Sequence, residues 1–195
     1  MPEAEKNKVE FGLRNLYYAV VTETEEDGLT FGTPKKWSGA VSITMDKSGD
    51  MVRFKADDVD YYTSPNNQGY EGTLTVALVP DSFKEEVLGE KKTENGVMIE
   101  STDAKIKRVA LMFEFQGDKK AIRHLLYYCS VDRPSVASTT KDSGEPNTVE
   151  LAIVASPRPD NNVVKAKTTE EINAELYDSW FTKVYEEKDE ESLGN

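Results

Sequence analysis

The chain has 195 residues, 37% hydrophobic and 31% charged, which fits a single domain with a modest core and a large polar surface. Its 36 acidic residues against 24 basic ones give a formal charge of −12. That sign disfavours sequence-specific binding to duplex DNA, whose backbone carries roughly one negative charge per 1.7 Å.

The start, Met1-Pro2-Glu3-Ala4-Glu5-Lys6, is charged and lacks the apolar stretch of a secretory signal, and no window approaches a membrane span. Neither export by a signal peptide nor membrane insertion is expected. Residues Leu16 to Glu23 carry Tyr17, Tyr18, Val20 and Val21, and predict a first strand closed by the turn Glu25-Glu26-Asp27-Gly28. From Trp37 to Met45 the residues alternate, with Val41, Ile43 and Met45 expected on one face, and Asp46 to Asp50 expected as the turn that ends the strand.

Two weaker strands follow, Met51 to Ala56 and Val59 to Thr63, before the turn-forming run Ser64-Pro65-Asn66-Asn67-Gln68-Gly69-Tyr70, where the chain is expected to leave the core. Thr73 to Val79 alternates again, placing Leu74, Val76 and Leu78 together before Pro80. Ser82 and Glu85 have capping-box spacing, so a short helix is expected to end at Gly89, and Asn95-Gly96 marks a hairpin turn.

Ile106 to Phe115 and Ala121 to Val131 predict the central strand pair, with Val109, Leu111, Phe113 and Phe115 facing one way. Val149, Leu151, Ile153 and Ala155 mark a further strand that Pro157 and Pro159 stop. Thr168 and Glu171 offer a second capping box, and Ile172, Leu176, Trp180 and Val184 recur at helical spacing, predicting an amphipathic helix. The pattern gives one domain over 1–185, mainly β, an antiparallel sandwich or barrel with one short flanking helix and a C-terminal helix, followed by an acidic disordered tail over 186–195.

Chemistry finds little support. Cys129 is the only cysteine, so no intrachain disulfide forms, and His124 is the only histidine. In a regular strand their odd separation puts them on opposite faces, so a Cys/His nucleophile pair would need a bend between them. Asp57, Asp58 and Asp60 lack the glycine and terminal glutamate of an EF-hand loop and read as solvated turn carboxylates, as do Asp46 and Asp50. No GxSxG, GxxxxGK[ST], HExxH or CxxC is present. No catalytic residue, metal ligand or cofactor is assigned. Tyr61, Tyr62 and Tyr70, around an Asn/Gln loop, suit a sugar or a neighbouring subunit, because tyrosine joins apolar area to a polar tip.

Several segments together resemble the major tail proteins, or tail tube proteins, of long-tailed non-contractile phages of Gram-positive hosts. They include Asn7-Lys8-Val9-Glu10-Phe11-Gly12-Leu13-Arg14-Asn15-Leu16-Tyr17-Tyr18-Ala19, Ala56-Asp57-Asp58 with Tyr61-Tyr62, Asn67-Gln68-Gly69-Tyr70-Glu71-Gly72 and Leu78-Val79-Pro80-Asp81-Ser82-Phe83. Lys107 to Phe115, Arg123-His124, Tyr127-Tyr128-Cys129, Arg133-Pro134-Ser135-Val136, Val164 to Thr168 and Tyr177-Asp178-Ser179-Trp180 extend the resemblance along almost the whole chain.

The resemblance implies a structural virion protein, made in the host bacterial cytoplasm and lodged in the phage tail. Six copies per ring and stacked rings would form a hollow tube that delivers double-stranded DNA without sequence-specific binding. Its implied partners are itself, a tape measure protein, a tail terminator and distal tail proteins.

On this reading an N-terminal arm over 1–15 contacts a neighbour through Phe11, and a long inter-ring loop over 46–72 offers Asp57, Asp58, Tyr61, Tyr62, Asn67, Gln68 and Tyr70 to an adjacent subunit. Asp57 and Asp58 support that contact or face the bore. The alternative from another class is a carbohydrate-binding β-sandwich for host recognition, built on the same tyrosines and carboxylates.

Overall fold

A computed structural model describes residues 6–24, 28–140, 144 and 146–187. The expected turn at 25–27, the acidic stretch beyond 187 and the first five residues lie outside them. Thirteen strands and two short helices follow in order among the described residues: β1 (Glu10–Thr24), β2 (Gly28–Phe31), β3 (Lys35–Trp37), β4 (Ala40–Ser48), β5 (Val52–Ala56), β6 (Val59–Ser64), β7 (Gly69–Val76), α1 (Asp81–Phe83), β8 (Lys91–Lys92), β9 (Met98–Ile99), β10 (Val109–Gly117), β11 (Ile122–Val131), β12 (Val149–Ala155), β13 (Lys165–Lys167) and α2 (Ala174–Ser179).

Nine strands form one antiparallel sheet in the order β2-β1-β10-β11-β12-β7-β4, with β3 also paired to β1 and β13 to β11. The sheet curls until β4 lies alongside β1 without hydrogen bonding to it, so its halves face each other as in a sandwich and no barrel closes. Inside the curl Leu16, Tyr18, Trp37, Leu74, Val76, Val109, Leu111, Leu151 and Ile153 are buried together. Phe83, Val87 and Leu88 cap this core from α1 and the wide π-helical turn Lys84–Leu88 that follows it.

A second core lies on the opposite side of the sheet. Ala19, Ala110, Met112, Leu125 and Tyr127 meet Trp180 and Val184 of the C-terminal segment there. The two cores explain why β10 reads as a continuous apolar run: it is covered on both faces.

The expected central pair is present as β10 and β11, and Val109, Leu111, Phe113 and Phe115 face the inner core. The β12 alternation, the β8–β9 hairpin around Asn95-Gly96 and the helix stop at Gly89 also match expectation. Several boundaries differ. The first strand begins at Glu10, because two irregularities in its pairing with β10, near Gly12 and Asn15, let it bend and continue; both residues have positive φ. The span Trp37 to Met45 is two strands, split at Ser38-Gly39, and a bulge between Ala40 and Ser42 leaves Val41 exposed while Ile43 and Met45 pack inward. Strand β4 runs on to Ser48, into the expected turn. Strand β7 ends at Val76, so Leu78 is exposed and does not join Leu74 and Val76.

Neither expected capping box forms. The residue before α1 is Pro80, and the Ser82 hydroxyl accepts from Tyr18 Oη at 3.1 Å. Before α2 the cap is Asn173, whose Oδ1 accepts from Glu175 N and Leu176 N, while buried Thr168 accepts from Arg123 N at 2.9 Å. The C-terminal helix is therefore six residues long, with Trp180 and Val184 buried beyond its end and Leu176 exposed. Packing on the sheet, not helical periodicity, buries those two side chains.

One face assignment reverses. Val109 pairs with Cys129 but Leu111 pairs with Leu126, so Tyr127 and Tyr128 of β11 stand opposite Ala110 alone on β10. This bulge turns Cys129 to the inner core, the side that also holds Leu126 and the Phe113 cross-strand from His124. The bend is present, yet the thiol is fully buried and burial pushes its pKa up to about 12. It is not an activated nucleophile.

Candidate assembly surface

Between β4 and β7 the chain leaves the sheet as a hairpin whose strands, among the described residues, pair only with each other. Strands β5 and β6 are rich in β-branched and aromatic residues, and Ala56 faces Val59 across a two-residue turn, Asp57-Asp58. Both aspartates have positive φ, 51° and 59°, as a type I′ hairpin turn requires and as short polar side chains tolerate. The two strands expected at 51–56 and 59–63 are present as β5 and β6, and together they make a regular ribbon. The departure point moves: the chain leaves the sheet after Ser48 and rejoins it at Gly69.

The ribbon has two unlike faces. Val52, Phe54, Ala56, Val59 and Tyr62 alternate onto one of them, while Arg53, Lys55, Asp60 and Thr63 lie on the other. Tyr61 is the extra residue of a bulge between the Phe54–Tyr62 and Lys55–Asp60 pairs. Arg53 and Asp60 form an exposed ion pair at 3.9 Å. Among the described residues nothing covers the apolar face: Phe54 and Tyr62 are each 57% exposed and Tyr61 is 73% exposed. A lone two-stranded hairpin is marginal in water, so a ribbon with such a face calls for a partner.

At the base of the ribbon, Asn67 Oδ1 accepts from Gly69 N at 3.0 Å, and Gln68 N donates to Ser48 O at 3.1 Å. These residues shape the exit and re-entry of the hairpin. Tyr70 stands apart, in β7 of the main sheet, half-buried against the inner core with Lys165 Nζ 4.3 Å from its ring centroid. Phe11 lies in β1 opposite Gln116 and is exposed. The structure therefore brings Asp57, Asp58, Tyr61 and Tyr62 together on the hairpin and leaves Tyr70 and Phe11 in the main sheet. Sequence reasoning missed Val52, Phe54 and Val59 as surface residues; their alternation with Arg53, Lys55 and Asp60 was the available signal.

Tyr70 borders an open cleft of about 390 Å³ between β4, β7, β10 and β11. Ile43, Met45, Phe113, Phe115 and Leu126 supply apolar walls, and Lys165 stands at the rim. His124 stacks on Phe113 at 5.3 Å and lies 4.7 Å from the Phe115 ring. Burial, then the nearby Lys167 and Lys165 ammonium groups, lower its pKa to about 4, and its Nε2 has no hydrogen-bond partner among the described residues. The imidazole is thus neutral near pH 7 and packs as an aromatic ring.

On the far side of the sheet a polar clamp holds the C-terminal segment. Buried Glu114 accepts from Arg14 Nε at 2.9 Å, Asn15 Nδ2 at 2.8 Å and Arg123 Nε at 3.3 Å. Arg123 also donates to Tyr177 O and lies 3.7 Å from the Tyr177 ring centroid. Among the described residues no group of three or more His, Cys, Asp or Glu side chains could hold a metal ion.

No curated protein matches the sequence. The chain is similar to a chain in a cryo-EM structure of the anti-feeding prophage cap, a tube-terminating cap, at 12% identity and a TM-score of 0.40, over 86% of this chain and 98% of that one. A family model described as phage tail tube protein matches residues 1–193. With the match spanning nearly all of its length, the chain belongs to the phage tail tube protein family, a structural and not a catalytic family.

Proposed function

We propose that this chain assembles into stacked hexameric rings that form the hollow tail tube through which double-stranded DNA is delivered. The observation that carries the proposal is the β5–β6 hairpin, whose apolar face is left uncovered among the described residues. Family membership makes the chain a structural component of a phage tail. A second copy is the natural cover, because every copy in a homopolymer presents the same hairpin and the same surfaces to receive it.

Residues 1–185 act as one tail tube domain, with the segment 46–72 reaching an adjacent ring through the hairpin. Lateral contacts use the open edges of the curled sheet. Strand β4 pairs only with β7, and Glu10–Asn15 of β1 pairs only with β10, so each leaves one edge free among the described residues. Such edges invite continuation into another chain. Phe11, on the second of them, is placed to contact the neighbour.

The tape measure, terminator and distal tail proteins are the other partners, and the acidic charge, repeated six times around a ring, lets DNA pass without being held. A carbohydrate platform draws less support, since the three tyrosines are divided between the hairpin and the main sheet. Electron microscopy of the purified, concentrated chain tests the proposal. Hollow tubes with a regular ring repeat are expected, and a chain that stays single at every concentration overturns it.

A further inference from the structure

We infer that the hairpin of one copy seats in the cleft bounded by Ile43, Met45, Phe113, Phe115 and Leu126 of another, with the acidic hairpin turn against the lysine rim. The inference rests on the assembly reading above and adds the receiving surface to it. Two surfaces of this chain are incomplete and complementary. The hairpin presents Phe54 and Tyr62 on an apolar face and two exposed carboxylates, Asp57 and Asp58, at its tip. The cleft presents apolar walls and, beside them, two exposed lysines, Lys165 and Lys167, whose charges are felt at His124.

Charge matters to this match. Copies that each carry −12 repel, so a contact between them needs a local patch of the opposite sign. Among the described residues neither Lys165 nor Lys167 has a carboxylate within 4.0 Å, although Lys167 acts at longer range on Glu170. The contact joins two different patches of the same chain. A heterologous contact of this kind propagates, whereas a self-complementary one would stop at a dimer.

The test uses the full chain with a photoreactive benzoylphenylalanine replacing Phe54, mixed as light and isotope-heavy copies, assembled and irradiated. Crosslinks between copies are expected on peptides containing Ile43–Met45, Phe113–Phe115 or Leu126. In parallel, the Lys165→Glu/Lys167→Glu variant should need at least tenfold more protein to assemble, with unchanged monomer folding by circular dichroism.

If wild-type protein forms tubes but the crosslinks map elsewhere, including to a second hairpin, the cleft is not the receiver and the inference is overturned while the assembly reading stands. Tubes that form normally from the double lysine variant overturn it in the same way. If wild-type protein forms no tubes at all, the assembly reading fails and takes the inference with it.

Discussion

Replacing Glu114 by alanine should cost this fold about 3 kcal/mol. The carboxylate is 3% exposed and joins Arg14, Asn15 and Arg123 across β1, β10 and β11. Removing one partner of a buried ion pair generally costs about 3–5 kcal/mol, because the remaining charge stays desolvated and unpaired. Here the lower end applies. Arg14 is 53% exposed and rehydrates, but Arg123 is only 15% exposed and keeps the Tyr177 carbonyl and the Tyr177 and Phe181 rings as partners. For a chain of this length each kcal/mol corresponds to roughly 2–4 °C, so the Tm should fall by about 6–12 °C.

The assay is urea unfolding of the monomeric protein, with Arg14→Ala and Arg123→Ala as controls. Arg14→Ala should cost under about 1 kcal/mol, as exposed pairs do, and the Glu114/Arg123 double mutant should show a coupling of about 1–3 kcal/mol. A loss in Glu114→Ala no larger than in Arg14→Ala would refute the argument, since the buried carboxylate would then not be what holds Arg123 and the C-terminal segment to the sheet.

Gly72→Ala should destabilise the monomer by about 3 kcal/mol or block folding, because a Cβ there would lie 1.8 Å from the Thr44 carbonyl oxygen on the neighbouring strand; chemical denaturation reads it. Phe54→Ala/Tyr62→Ala should leave monomer stability within about 0.5 kcal/mol of wild type yet abolish tubes by microscopy, since each exposed ring would otherwise bury apolar area worth roughly 1–2 kcal/mol in the assembly. Tyr70→Ala should behave differently, lowering monomer stability itself because that ring packs on the inner core; a variant with wild-type unfolding would contradict its placement. Lastly, His124 has a folded pKa of about 4 against 6.5 for the free side chain, so the unfolded state binds more protons between those values. Its contribution is complete above pH 6.5 and is lost as pH falls towards 4. After discounting for its partial exposure this is about 1–2 kcal/mol, and His124→Phe should be less acid-sensitive than wild type by that amount in denaturation at pH 7 and pH 4.5.

Much was legible in the residues alone. Periodicity exposed the inner face of β10, the alternation of β12 and the β8–β9 turn, because side chains in a strand must alternate between a wet and a dry side whatever the strand's neighbours. The acidic balance, the single cysteine and the lack of a catalytic motif are also properties of composition, and the resemblance to tail tube proteins rests on residues strung along the chain.

Other features depend on what packs against what. The bulge in β11 that carries Cys129 to the inner side arises from its register with β10, and the burial of Trp180 and Val184 arises from docking on the sheet and not from a helix of their own. Tyr61, Tyr62 and Tyr70 read alike in sequence because all three stand near one loop, yet the first two hang free on a ribbon and the third supports the core. Local propensity sets the conformation of a short segment, but only the tertiary fold decides which of its faces has a neighbour, and among the described residues the apolar face of the hairpin has none.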